Sequence, residues 1–128
     1  MFNLFKKKKK IHKFILIKNF HKKDFYFIRS AEWGFLDKDN LFIKDHHKSK
    51  LITPSPWGRN IFYSANGEMT VEEYVYYVAT LYKDDIPVHL EQTIIFELLG
   101  LVESDLISLV PGKQRPLNEF DLPGLNPT

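Results

Sequence analysis

Apolar residues change their spacing about halfway along the chain. In the first half they come in short dense runs, Ile11 to Ile17, Asp24 to Ile28, Leu41-Phe42-Ile43 and Ile61-Phe62-Tyr63, rich in the Ile, Phe and Tyr that suit a pleated, half-buried surface. Turn chemistry separates them. Asn19 to Lys23 reads as a hairpin loop and Asp37-Lys38-Asp39-Asn40 as a turn. Thr53-Pro54-Ser55-Pro56-Trp57-Gly58 reads as a rigid loop, because proline removes ladder donors. Ala65-Asn66-Gly67 closes this half with an Asn-Gly turn signal. The expectation is an antiparallel sheet of about four strands in the N-terminal half.

From Thr70 the period becomes helical. Thr70 followed by Glu73 is a capping box, and Val71, Tyr74, Val75, Val78, Leu81 and Tyr82 recur at three- and four-residue steps, predicting an amphipathic helix over 71–82. Asp84-Asp85 breaks the pattern. Pro87 suits the first position of a second helix, which Leu90, Ile94, Ile95, Leu98 and Leu99 carry to Gly100. Ser104 to Val110 predicts one further short helix. The fold class is therefore α+β, the sheet packed against two or three C-terminal helices. The organisation predicted is a basic flexible arm over 1–10, a single domain over 11–110 and a Pro/Gly-rich extended tail over 111–128.

Length and composition agree with that reading. A chain of 128 residues holds one core, and 44% apolar with 15% aromatic content is enough to fill it. The absence of cysteine removes disulfides, thiolate ligands and a cysteine nucleophile, and fits a reducing compartment. The longest apolar run near the start, Phe14-Ile15-Leu16-Ile17, is too short for an export signal or a membrane span. A cytoplasmic location is expected.

Charge divides the chain. Residues 1–23 carry nine lysines and no carboxylate, whereas 24–128 carry nine Lys/Arg against sixteen Asp/Glu. The pI near 8.7 conceals an acidic body. The run Lys6, Lys7, Lys8, Lys9, Lys10 with Lys13 reads first as a solvated extension. Its functional alternatives are salt-sensitive phosphate neutralisation on nucleic acid, or anionic lipid headgroups with Phe2, Leu4 and Phe5 entering the bilayer.

Catalytic signatures are lacking. The sequence has no G-x-S-x-G, P-loop or G-x-G-x-x-G pattern. His46-His47 are adjacent in a loop, His12 and His21 lie among lysines, and His89 has only Glu91 nearby, so no metal site is expected. No cofactor is implied. Glu72-Glu73 diverge on a helix and serve its N-terminus better than acid/base chemistry. Trp33-Gly34 and Trp57-Gly58-Arg59 read as caps on the core, the alternative being rings that stack on a ligand.

The candidate partner surface is the polar side of the first C-terminal helix: Glu72, Glu73, Tyr76 and Tyr77, followed by Asp84 and Asp85. Tyrosine beside carboxylate on a rigid element suits a protein-binding hot spot, and residues 68–128 hold eleven acids against three bases. The expected function is a non-catalytic protein-binding module, in its concrete form an immunity- or inhibitor-type protein that neutralises a basic partner such as a nuclease toxin. The alternative is a nucleic-acid-binding protein acting through the lysine arm and exposed aromatics.

Overall fold

The computed structural model describes residues 14–113 and 120–125. Its elements in chain order are α1 (Ile15–Lys18), β1 (Tyr26–Arg29), β2 (Trp33–Asp37), β3 (Asn40–Asp45), β4 (Lys50–Ile52), α2 (Pro56–Ser64), β5 (Asn66–Thr70), α3 (Val71–Leu81), α4 (Leu90–Glu103) and β6 (Ile107–Val110). The class is α+β, as the pattern predicts, but the strands form two antiparallel three-stranded sheets and not one of about four. One has the order β5-β1-β6 and so joins the middle of the chain to its late part. The other is the meander β2-β3-β4.

Four local expectations are corrected. The Ile11–Ile17 run is not a strand where it is described. Residues 15–18 form one helical turn that buries Ile17, while 11–13 lie outside the described residues, and the expected 19–23 hairpin loop instead follows that turn. Ile61-Phe62-Tyr63 belongs to α2. Ser55 accepts the Gly58 N–H at its start and Pro56 occupies the first turn, so the Pro-rich stretch is a helix start and not a loop. Asn66-Gly67 opens β5 in place of a turn. Gly67 adopts φ 81°, and the β1–β5 register slips between Tyr26 and Ile28, a bulge that glycine accommodates. Ser104–Val110 contains strand β6, which follows Asp105 at φ 59° and runs antiparallel to β1 from Ile107↔Arg29 to Val110↔Tyr26.

The predicted capping box forms. Thr70 Oγ accepts the Glu73 N–H at 3.1 Å and Glu73 Oε1 accepts the Thr70 N–H at 2.8 Å. The second long helix starts at Leu90, three residues after Pro87, and continues past Gly100 to Glu103. At its side, Ser55 Oγ donates to Glu97 Oε1 at 3.0 Å, fastening the start of α2 to α4. The core lies between these helices and the sheets: Phe27, Trp33, Ile43, Ile61, Phe62, Val71, Tyr74, Val75, Ile94 and Leu98 are buried in one cluster. Leu81, placed inward by its spacing, is instead 62% exposed at the last residue of α3.

Two devices bind the ends of the described chain to this core. At the front, buried Glu91 accepts the Leu16 and Ile17 N–H groups at 3.3 and 3.1 Å, serving as the side-chain cap that α1 does not supply for itself. At the back, residues 120–125 lie across β2. Gly124 and Leu125 donate to the Trp33 carbonyl at 2.9 and 3.0 Å, and Trp33 Nε1–H donates to the Phe120 carbonyl at 2.7 Å. Gly34 makes this approach possible, since a Cβ there would collide with the Leu125 carbonyl.

Candidate functional site: an aromatic groove between α2 and α3

Much of the sequence-predicted surface turns out to be occupied by the fold. Glu73 is committed to the capping box. Glu72 lies 3.7 Å from Lys23, whose ammonium is raised above its usual value chiefly by its hydrogen bond to Asp24, with Glu72 adding to it. The first N–H groups of α3 are satisfied too, Val71 by the Phe25 carbonyl and Glu72 by that of Lys23. Tyr76 does not face outward. It is half-buried, stacks edge-on against Phe14 at 5.2 Å and accepts the Phe14 N–H at 3.3 Å. Tyr77, Asp84 and Asp85 remain exposed. Lys6 to Lys10 and Lys13 lie outside the described residues.

Tyr77 belongs to a larger feature that no single segment announces. Between α2 and α3 there is a groove of about 520 Å³ lined by Pro56, Trp57, Asn60, Tyr63, Ser64, Tyr74, Tyr77, Val78, Leu81 and Tyr82. Val78, Leu81 and Tyr82 extend the Tyr74–Tyr77 side by one turn. Trp57, Asn60 and Tyr63 answer from α2 at three-residue spacing, which places them on one helix face. The lining contains no ionised group. Buried Tyr74 forms the floor, and its phenol is pushed up to about 12 by that burial, opposed by a hydrogen bond with Ser64. At the end of the groove, beyond Tyr82, the chain turns through Lys83 at φ 56° into Asp84 and Asp85.

Tyr77 is the member of the candidate surface that lines the groove; the other lining residues, exposed Tyr63, Leu81 and Tyr82 among them, lie outside that surface. Their signal was present. Reading Ser55-Pro56 as N-cap and first helical residue would have put Tyr63 on a helix, facing the same way as Trp57 and Asn60.

The tryptophans divide between the two readings offered for them. Trp33, in strand β2, is buried and meets Phe35, Phe62 and Tyr63 edge-on, so it is a core residue. Trp57, in α2 and not in a loop, is half-buried along the groove. The described histidines, His21, His46, His47 and His89, keep surface positions, and His12 lies outside the described residues. His47 Nε2 contacts Asp105 Oδ2 at 2.6 Å, and His89 Nδ1 meets Gln92 Oε1 at 2.7 Å at the start of α4. Among the described residues no three His, Cys, Asp or Glu side chains converge as metal ligands would, and no helix is long and apolar enough to cross a membrane.

No protein-family model, curated protein or solved structure matches this chain.

Proposed function

We propose that the protein is a non-catalytic protein-binding module whose partner places an apolar side chain, flanked by Lys or Arg, in the α2–α3 groove. The observation that supports this is the groove itself: tyrosines and a tryptophan between two helices, without an ionised group in the lining, whose last residue along α3, Tyr82, is followed in the chain by Lys83 and the exposed pair Asp84-Asp85. Aromatic walls supply contact area at low entropic cost, and the acids at the rim steer a basic surface. Residues 68–128, with eleven acids against three bases, extend that negative field. The concrete form remains an inhibitor or immunity-type protein that occludes a basic partner such as a nuclease toxin, acting in the cytoplasm.

The test is capture of a partner by the purified full chain, followed by mapping. Leu81→Asp and the pair Asp84→Lys/Asp85→Lys should each weaken a one-to-one protein complex by at least about tenfold, and deleting residues 1–10 should leave it intact. A complex indifferent to the groove substitutions and lost with the lysines would overturn this assignment. If nucleic acid, released by added salt, were what those lysines held, the alternative reading of the basic arm would take its place.

A further inference from the structure

A second hollow adjoins the first across Tyr63 and Asn60, and its chemistry is different. It measures about 470 Å³ and is bounded by Phe35, Leu41, Arg59, Asn60 and Tyr63, with Lys38 and Asp39 from the β2–β3 turn. That volume lies within the roughly 300–1,000 Å³ of small-molecule sites. We infer that this hollow binds a small planar anion, an aromatic ring carrying a phosphate group, with the ring against Phe35 and Tyr63 and the phosphate between Arg59 and Lys38.

Three observations carry the inference. The first is unspent positive charge. Arg59 is half-buried, yet among the described residues no carboxylate lies within ion-pairing distance of it and no carbonyl accepts from its guanidinium; Lys38 is likewise unpaired. The other buried or half-buried arginine environment, at Arg29, shows how completely this fold saturates a guanidinium that has a structural task. An arginine left with free donors at the wall of a hollow is placed to receive an anion bidentately.

The second is the ring platform. Phe35 and Tyr63 stand 6.4 Å apart, centroid to centroid, inclined at 58°, with buried Leu41 nearby. Inclined in this way, one ring can stack on a flat ligand while the other meets it obliquely, an arrangement that aromatic contacts favour. The third is rigidity. Asp37 accepts the Asp39 N–H at 2.9 Å, the Asn40 N–H at 3.0 Å and the Asn40 side-chain amide, which fixes the turn bearing Lys38 and holds the Asp37 carboxyl below its usual range. Asp37 stays ionised but does not line the hollow, whose lining carboxylate is Asp39. The two cations exceed it.

This inference stands apart from the groove between α2 and α3. Its test is calorimetric titration of the full chain with adenosine monophosphate and, separately, with phosphotyrosine, against adenosine and inorganic phosphate as half-ligands. Saturable binding of at least one joined ligand is expected, with both half-ligands weaker by about tenfold or more; which joined ligand binds identifies the source of the ring. Arg59→Ala and Lys38→Ala, the latter on an exposed turn where folding is not at stake, should each weaken it by about tenfold, and Asp39→Asn should tighten it. Leu81→Asp should leave it unchanged, which separates this site from the protein-binding groove. Absence of binding by both joined ligands, half-ligands that bind equally well, or affinity that survives Lys38→Ala and Arg59→Ala would overturn the assignment.

Discussion

The guanidinium of Arg29 and the carboxylate of Asp121 meet at 3.1 Å although 92 positions separate them in the chain, and both side chains are almost wholly removed from solvent. Every N–H direction of Arg29 has an acceptor: Nε reaches the Phe120 carbonyl at 2.9 Å, Nη1 the Phe62 and Tyr63 carbonyls at 3.1 and 2.6 Å, and Nη2 both the backbone and the carboxylate of Asp121. The plane also lies over Trp33, 5.2 Å from its ring centroid. Burial lowers the arginine below its ordinary value, and Asp121 works against that effect.

Removing either partner should be costly, and unequally so. Asp121→Ala leaves a buried cation that keeps four carbonyl acceptors, whereas Arg29→Ala removes the cation facing a buried carboxylate and takes one donor from each of those carbonyls, of which Phe120 keeps the Trp33 indole N–H and Phe62 the Ala65 N–H. Losses on the order of 3–5 kcal/mol are expected for breaking such a pair from one side, the arginine substitution being the worse. Chemical denaturation measures both. Equal or negligible losses would refute this account of the latch.

Gly34→Ala should lift residues 124–125 from β2, because the added methyl and the Leu125 carbonyl require the same space. The expected cost is about 1–3 kcal/mol. Hydrogen exchange at the Gly124 and Leu125 amides is the direct measurement, since both donate to the Trp33 carbonyl. Unaltered protection there would show that the two segments separate more easily than their geometry implies.

At the other end, Glu91→Ala should orphan two N–H groups of α1 and cost about 2 kcal/mol, while Glu91→Gln, which keeps an acceptor oxygen, should cost less. Faster exchange of the Ile17 amide in the alanine variant, with the α3 amides unchanged, is the expected signature. Uniform destabilisation with Ile17 still protected would assign α1 to packing alone.

Tyr74 sets an alkaline limit. Its phenol loses its proton near pH 10 when unfolded and at about 12 when folded, so the folded state holds the proton more tightly. The corresponding stability is complete below pH 10, is lost as pH rises from 10 to about 12, and is on the order of 2 kcal/mol. Tyr74→Phe should flatten that part of the stability curve. A tyrosinate absorbance titration should show one of the six tyrosines ionising late. Early ionisation of all six would contradict the buried placement.

These residues also show how far the sequence could be read. The α3 helix was legible because its signals are local: Thr70 and Glu73 cap it, and Val71, Tyr74, Val75 and Val78 repeat along one face. Helix α2 was equally local in its cues, with Ser55 at the cap and Pro56 after it, but the surrounding prolines and the β-like run Ile61-Phe62-Tyr63 pointed elsewhere. For α1 no local reading would have sufficed. Its turn is capped by Glu91, more than seventy positions away, so tertiary contact overrides the strand propensity of Phe14-Ile15-Leu16-Ile17. Strand β6 was obscured differently. The left-handed Asp105, one of the few residue types besides glycine that take up this conformation readily, ends the helical path, and pairing with β1 then decides the rest.

The partner surface follows the same division. Tyr77 on the helix and Asp84-Asp85 just after it are legible as exposed positions, whereas periodicity places Tyr76 outward because it cannot see Phe14 arriving from a distant part of the chain. The groove needs two helices at once, and one of them carries the sequence pattern of a loop and a strand.

The acceptors for Arg29 and for the Trp33 indole also impose an order on biosynthesis. Both side chains emerge early, yet Nε and Nη2 of Arg29 and the indole N–H are satisfied by residues 120 and 121. A nascent chain can collapse around Phe27, Ile43 and Phe62 while an arginine and an indole N–H at the edge of that nucleus still face water. The final tertiary structure therefore has to await translation of the late segment, and a ribosome that stalls before it would leave a product whose aromatic interior stays accessible to chaperones and proteases.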